Sequence, residues 1–400
     1  MRPHVVVVHR WLARYAEYER YLDHALYAVT YVTTEVGVAG VPASAAGIAI
    51  VAATDDLPAV ADRVKQLAVE HGHPVAIVAL KEDDLTVAAQ LRAEWDCPGP
   101  TPEDLLPFRD KLVMARRVAA AGLAVPDFAP APDAASVIAF GEARGWPVVV
   151  KPRVGSASQS VSIVDGPGAV AGLDLDTDGP FLAQAFDSRA ILHVDGHFDG
   201  REVECVRVSR YLNTCVGFRT GDVLGSVEVD DAALIATIAA FTRDAMAALT
   251  SRPTVFHLEV FAGPEGVAFL EVGARVGGAE IPFLWREVHG HDLMRTGFLL
   301  QMDVVPPPPP GDLGAEIGGW LLVPAPEERP CRITGVTSMT GRVPGPYAEG
   351  ILRPGEVLPA ADAYYEHVGG RFRFRGASSA EVAAAIEATA RDFRVSAEPV

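Results

Sequence analysis

At 400 residues the chain exceeds what one hydrophobic core usually supports, and its 49% hydrophobic content is that of folded domains. Thirty-four Lys and Arg stand against 52 Asp and Glu, and the net charge of −18 repels a nucleic-acid backbone and an anionic membrane while leaving room for local nucleotide sites. The four cysteines, Cys97, Cys205, Cys215 and Cys331, are too dispersed for a zinc site or a disulfide framework, which points to a reducing cytoplasm, and no apolar run approaches the roughly 20 residues of a membrane span.

In chain order, apolar runs at Val5 to Val8, Gly47 to Ala52 and Pro74 to Leu80 read as strands, and Leu57 to His71 as a helix between them. This alternation predicts a small parallel α/β unit. The Pro- and Gly-rich segment Cys97 to Pro102 marks a boundary, and a helix is expected from about Leu105 to Ala121, closed by Gly122. Short strands separated by Gly and Asp turns follow at Pro147 to Lys151, Val161 to Val164, Ala190 to Val194 and Glu202 to Arg210. Next come a helix at Ala232 to Leu249 and a hairpin of Val255 to Phe261 with Gly266 to Val272. Pro306 to Pro310 form a stiff extended connector, and the helix Ser379 to Phe393 lies near the end of the chain.

The hairpin carries the most chemistry. Glu259 and Glu271 have the same parity about the turn Gly263 to Gly266, so a suitable register sets two like charges side by side. A divalent cation shared with nucleotide phosphates would compensate them; a solvated pair, or a salt bridge to Arg275, would explain the pattern equally well. Arg275 keeps that parity if the strand continues, and Gly277 and Gly278 behind it permit a tight backbone turn near a ligand. Lys151 ends an apolar strand, and the loop Gly155-Ser156-Ala157-Ser158-Gln159-Ser160 offers amides and hydroxyls to a phosphate. It is no Walker motif, and a plain hairpin turn has the same composition. Lys111, His193 and Asp195, each taken alone, read as ordinary solvated residues.

Taken in order, Asp110-Lys111, Lys151-Pro152 with its small-residue loop, His193-Val194-Asp195, His257-Leu258-Glu259 and Leu270-Glu271-Val272-Gly273-Ala274-Arg275 resemble the ATP-grasp superfamily. The likeness is to its carboxylate-amine ligases, the L-amino acid ligases in particular, and spans about residues 104 to 305. The fold it implies is α/β and α+β: a Rossmann-like pre-ATP-grasp domain over 1–103, the ATP-grasp domain over 104–305 with a lid at about 125–185, and a small C-terminal α+β domain over 306–400.

The resemblance implies ATP with magnesium, or manganese in its place. Lys111 and Lys151 would approach the phosphates, the loop from Gly155 through Ser156 and Ser158 would close over them, and Gln184, Ala185 and Phe186 would hold adenine. His193 and Asp195 belong to the same nucleotide set, while Glu259 and Glu271 would carry the metal. Arg275 would steady the transferring group together with Lys151, and His257, Gly277, Gly278 and Glu280 would face the substrates. Two departures stand out: Gln184-Ala185 where many members carry an acid at the hinge, and Gly273 where many carry an asparagine. The expected partners are a small carboxylate and a small amine, with neither nucleic acid nor membrane, and a homodimer is compatible with such an enzyme. Rival readings are a carboxylase-type or purine-pathway ATP-grasp enzyme, and a nucleotide-binding protein without turnover.

Overall fold

The computed structural model describes residues 2–11, 15, 17–156, 158–175, 179–360 and 368–400. Four parallel strands open the chain: β1 (His4–His9), β2 (Ala28–Thr33), β3 (Gly47–Ile50) and β4 (Pro74–Ala79), in the order β3-β2-β1-β4. Val6, Val8, Ile77 and Ala79 meet Val60, Val64 and Leu67 of the helix Leu57–His71 in one apolar cluster. β2 was not among the expected strands, although its Val, Thr and Tyr are strand formers and every residue in it is buried.

The expected single helix from Leu105 to Ala121 is two helices, Pro102–Arg109 and Lys111–Ala120. Asp110 breaks it: its backbone is extended, and its carboxylate accepts hydrogen bonds from the amides of Leu112 (2.9 Å) and Val113 (3.2 Å) as the N-cap of the second helix. Apolar periodicity runs unbroken through such a junction, so it conceals the cap.

A small antiparallel sheet follows, β5 (Phe128–Ala131), β6 (Val148–Pro152), β7 (Ser162–Val164) and β8 (Phe181–Ala185), in the order β5-β8-β6-β7. Beyond it lie β9 (Ala190–Phe198), β10 (Val203–Tyr211), β11 (Leu224–Glu228), β12 (Thr254–Gly263), β13 (Gly266–Gly273) and β14 (Ile317–Pro324). β15 (Cys331–Val336), β16 (Ala348–Ile351), β17 (Val357–Leu358), β18 (Val368–Gly376) and β19 (Val395–Pro399) complete the strands. Eight of them form one sheet, β13-β12-β9-β10-β11-β14-β18-β16, so the chain beyond the Pro306–Pro310 connector extends the central sheet.

The two faces of this sheet differ in chemistry. Leu192, Val194, Val208, Leu258 and Val260 point to one side and pack against Ile238, Ala245, Met246 and Leu249 of the helix Ala232–Leu249. That helix is long and apolar enough, by length and composition, to cross a membrane, but this packing gives its apolar face a partner in the core. Because side chains alternate along a strand, His193, Asp195, Arg207, Ser209, Ser226, His257, Glu259 and Trp320 fall on the other side.

Candidate active site

The hairpin places the two carboxylates opposite one another, but not through its turn. Gly263 pairs with Gly266 and Val260 with Phe269, a register that would set Glu259 against Leu270. One residue of β13, Leu270, is bulged out between Phe269 and Glu271, and Glu259 then pairs with Glu271. The bulge, rather than the loop register expected from the sequence, brings both acids to one face.

Neither acid is gripped by a guanidinium; within 4 Å each has a single cation, at 3.7 to 3.8 Å. Glu259 accepts a hydrogen bond from the Tyr211 hydroxyl at 2.8 Å and lies 3.8 Å from His257 Nε2. Burial would raise its pKa, but the hydrogen bond and charge of His257, with the Tyr211 hydroxyl, outweigh burial and hold it below the usual value. Glu271 has Lys111 Nζ at 3.7 Å, and that ammonium also donates to the Gly155 carbonyl at 2.9 Å. Lys111 is the first residue of its helix and is largely buried, not solvated as it would be on a plain surface helix.

Lys151, near the end of β6, is only 4% exposed. Burial lowers its pKa to about 8; Glu271 and Glu259 pull it up and Lys111 pushes it down. The two lysines, the two glutamates and the start of the Gly155 loop thus form one electrostatic cluster. Ser156 turns its hydroxyl to Asp83 at 3.3 Å, and Ser158 and Ser160 adopt the left-handed conformation, at φ 54° and 53°. Ala157, within the expected phosphate loop, lies outside the described residues.

At the hinge, the Gln184 side chain is buried and Phe186 is 43% exposed. The amides of Ala185 and Phe186 donate to the carbonyls of Asp127 (2.8 Å) and Pro147 (3.4 Å), so those two donors already serve the small sheet.

Beneath Glu259 runs a buried hydrogen-bonded chain. Ser226 Oγ meets His193 Nε2 at 2.7 Å, His193 Nδ1 meets Asp195 at 2.7 Å, and the other Asp195 oxygen meets His257 Nδ1 at 2.8 Å. Burial opposes charge on His257, yet Asp195 and Glu259 raise its pKa to about 10, which makes it an imidazolium at neutral pH. The same pairing depresses Asp195 despite its burial. Gly277 lies directly on this pair: a Cβ there would stand 2.5 Å from Asp195 Oδ1 and 2.8 Å from His257 Nδ1. Gly278 faces open space. His193, Asp195 and His257 also have the proximity of a metal-ligand cluster, but Asp195 spends both oxygens on the two rings, which marks the trio as a hydrogen-bonded relay.

Arg275 stands past the end of β13, which stops at Gly273, so the expected strand continuation does not occur. Its Nε and Nη2 reach Glu82 at 2.6 and 2.5 Å, and Arg109 holds the other Glu82 oxygen at 2.8 Å. Although buried, Glu82 is pulled down to a pKa of about 2 by Arg275, Arg109 and Lys111. Glu280 is 2% exposed and faces Arg371 (3.9 Å) and Arg373 (3.6 Å) of β18, so it sits among arginines of the sheet rather than in the carboxylate cluster.

Sequence reasoning passed over Glu82, Tyr211 and Ser226. Glu82 carried a usable signal: it opens an acidic run just past the carboxyl end of a parallel strand, where α/β sheets place functional groups. Tyr211 and Ser226 carried none, since only the pairing of β9, β10 and β11 brings them beside His193 and Glu259.

No protein-family model matches the chain. Over 88 residues it is 32% identical to the L-arginine-specific L-amino acid ligase of Bacillus subtilis, a stretch that is 22% of this chain and 21% of that protein. The match to a second curated relative covers 18% of its length, so the chain spans about a fifth of the curated relatives it matches. Nearly the whole chain superposes on the crystal structure of an L-amino acid ligase from Bacillus licheniformis, with a TM-score of 0.77, 18% identity and coverage of 99% of this chain and 98% of that one. The chain has the ATP-grasp fold. The same ATP-grasp architecture is shared with the biotin carboxylase domain of 2-oxoglutarate carboxylase from Hydrogenobacter thermophilus, solved with MgADP, ADP and bicarbonate; here the TM-score is 0.70 and the identity 14%, over 99% of this chain and 91% of that one.

Proposed function

We propose that the chain is an ATP-dependent ligase that activates a carboxylate, that of an amino acid, as an acyl phosphate and joins it to an amine, with release of ADP and phosphate. The observation that carries this reading is the Glu259–Glu271 pair, registered side by side, with Lys111 and Lys151 against it and the Gly155 loop touching Lys111. The similarity to L-amino acid ligases in fold, and over a short stretch in sequence, supports the choice of substrate class.

The donor set fits magnesium or manganese: two hard carboxylates, adjacent on paired strands, with the Glu271 side chain 36% exposed. Such an ion, held by Glu259 and Glu271 together with the nucleotide, supplies charge neutralisation at the transferring γ-phosphoryl group. Lys111 and Lys151 hold the phosphates, and the loop from Gly155 to Val161 excludes water above them. Arg275, in this reading, leaves Glu82 in part or bridges from it to hold two oxygens of the phosphoryl group. The imidazolium of His257, oriented by Asp195 and packed under Gly277, offers a fixed positive charge to the substrate carboxylate. A carboxylate oxygen attacks the γ-phosphorus as its bond to ADP breaks. The amine nitrogen then attacks the acyl carbon, phosphate leaves, and the amine loses a proton.

The test is an ATP-consumption screen with amino acids singly and in pairs, coupled to product mass. Equal ADP and phosphate, with a product lighter than its two substrates by one water, supports the reading; AMP and pyrophosphate overturn it. Turnover that needs bicarbonate would instead favour the carboxylase reading, which the shared fold of the biotin carboxylase domain keeps in play.

A further inference from the structure

Between β1 and β2 the chain crosses to the loop that follows Arg275. Tyr15 donates its hydroxyl hydrogen to the Ala279 carbonyl at 2.8 Å and accepts a hydrogen bond from Arg371 Nη1, on β18, at 3.1 Å. The centroid of its ring lies 5.5 Å from that of Phe283, on the helix Ile281–Glu287. Two residues further on, Glu17 pairs with Arg286 of the same helix. A phenolic hydroxyl can donate and accept at once, and here it joins three stretches of chain that lie far apart in sequence.

Ala279 is where that bond matters most. Its φ of 53° is the left-handed conformation, which glycine takes freely and alanine occupies at a cost. Such a residue persists when its surroundings over-determine it. Here they are the Tyr15 hydroxyl on the Ala279 carbonyl and, at the next residue, the Glu280 side chain between Arg371 (3.9 Å) and Arg373 (3.6 Å). The loop has no slack two residues earlier: a Cβ on Gly277 would stand 2.5 Å from Asp195 Oδ1, 2.8 Å from His257 Nδ1 and 2.6 Å from Ile281. A shift at Ala279 therefore disturbs the backbone that covers His257.

We propose that Tyr15 is a positioning residue for the carboxylate substrate. Acting through Ala279, it fixes residues 276–280 over His257, so that the N-terminal α/β unit completes the substrate side of the site. This rests on the reading in which His257 meets the substrate carboxylate. The phosphate-holding lysines of that reading belong to other elements, Lys111 to its helix and Lys151 to β6, and Arg275 keeps its own hold on Glu82. ATP binding is therefore the internal control.

The experiment compares the full chain carrying Tyr15→Phe with the native protein; the ring and its packing on Phe283 stay and only the hydroxyl goes. The KM of the amino acid should rise by roughly tenfold, the usual value of a hydrogen bond to a charged group, while kcat and the KM of ATP hold. Hydrogen exchange over residues 276–284, measured without substrates, should quicken in the variant, because the left-handed turn has lost its clasp. An unchanged KM for the amino acid in a variant that merely melts earlier makes Tyr15 a structural residue and overturns the proposal. So does an equal rise in the KM of ATP, which would report a general loosening of the site. If the native protein ligates nothing, the functional reading has failed and exchange alone decides the clasp: an unchanged rate over residues 276–284 overturns it.

Discussion

Glu82 and the Glu259–Glu271 pair both feel the charge of Lys111, yet they are solved in opposite ways. Two guanidinium groups grip Glu82, from Arg109 and Arg275, so its charge is satisfied within the protein. Glu259 and Glu271 face each other with a hydroxyl, an imidazolium and one ammonium at 3.7 Å for company. An acid gripped by two guanidinium groups at 2.5 to 2.8 Å holds a structure together, whereas two acids pressed together with their cations at 3.7 to 3.8 Å are placed to take a ligand.

The sharpest way to break this contrast is Glu271→Gln. Removing one acid relieves like-charge repulsion, so the melting temperature should hold or rise while ligation falls by about a thousandfold or more, the scale of losing a charge-stabilising group. A folded variant with near-normal turnover would mean that the pair carries no metal.

Glu82→Gln should do the reverse and act first on stability. A carboxylate depressed from 4.5 to about 2 contributes on the order of 3 kcal/mol. The sign follows from the depression: the contribution is present above pH 4.5 and is lost as pH falls towards 2. Urea unfolding between pH 3 and pH 7 should therefore show a steeper acid loss in the native protein than in the variant, and identical slopes would show that Glu82 is not gripped as described.

Arg275 belongs to both sides of the comparison, since it holds Glu82 and is proposed to hold phosphoryl oxygens. Arg275→Lys should bind ATP almost normally and lose ligation by about a hundredfold, because a lysine lacks the planar fork. If the lysine variant keeps its rate and only melts earlier, the role of Arg275 ends at Glu82.

The smallest effect concerns Lys151, lowered to about 8 by burial. Below that pH it meets ATP as a cation; above it, binding must take up a proton, so affinity should fall by up to about tenfold per pH unit. In Lys151→Arg the charge does not titrate, and the decline above pH 8 should vanish. A decline that persists there would assign the titration to another group.

Much of the fold was legible in local pattern. The helices Leu57–His71 and Ala232–Leu249 lie where they were expected from the sequence, and Asp56 and Asp231 cap their N-termini. The hairpin turn was legible because Gly263-Pro264-Glu265-Gly266 suits no strand interior. Asp110 was missed as a helix cap because an N-cap inside an apolar-periodic run leaves the period intact.

Residue types and their alternation determined the rest of what could be known early: which acids, lysines and histidines exist, and which neighbours share a strand face. Three facts were decided only by the folded chain. Leu270 bulges, so Glu259 meets Glu271 rather than a leucine; Glu82 crosses from the N-terminal α/β unit to take Arg275; and Tyr211 and Ser226 arrive on separate strands to complete the hydrogen-bonded chain under the site. The physical reason is common to all three. Period-two alternation is a property of one strand, while register, bulge and ion pairing are relations between segments, set by whichever contacts satisfy the most buried charge and backbone at once.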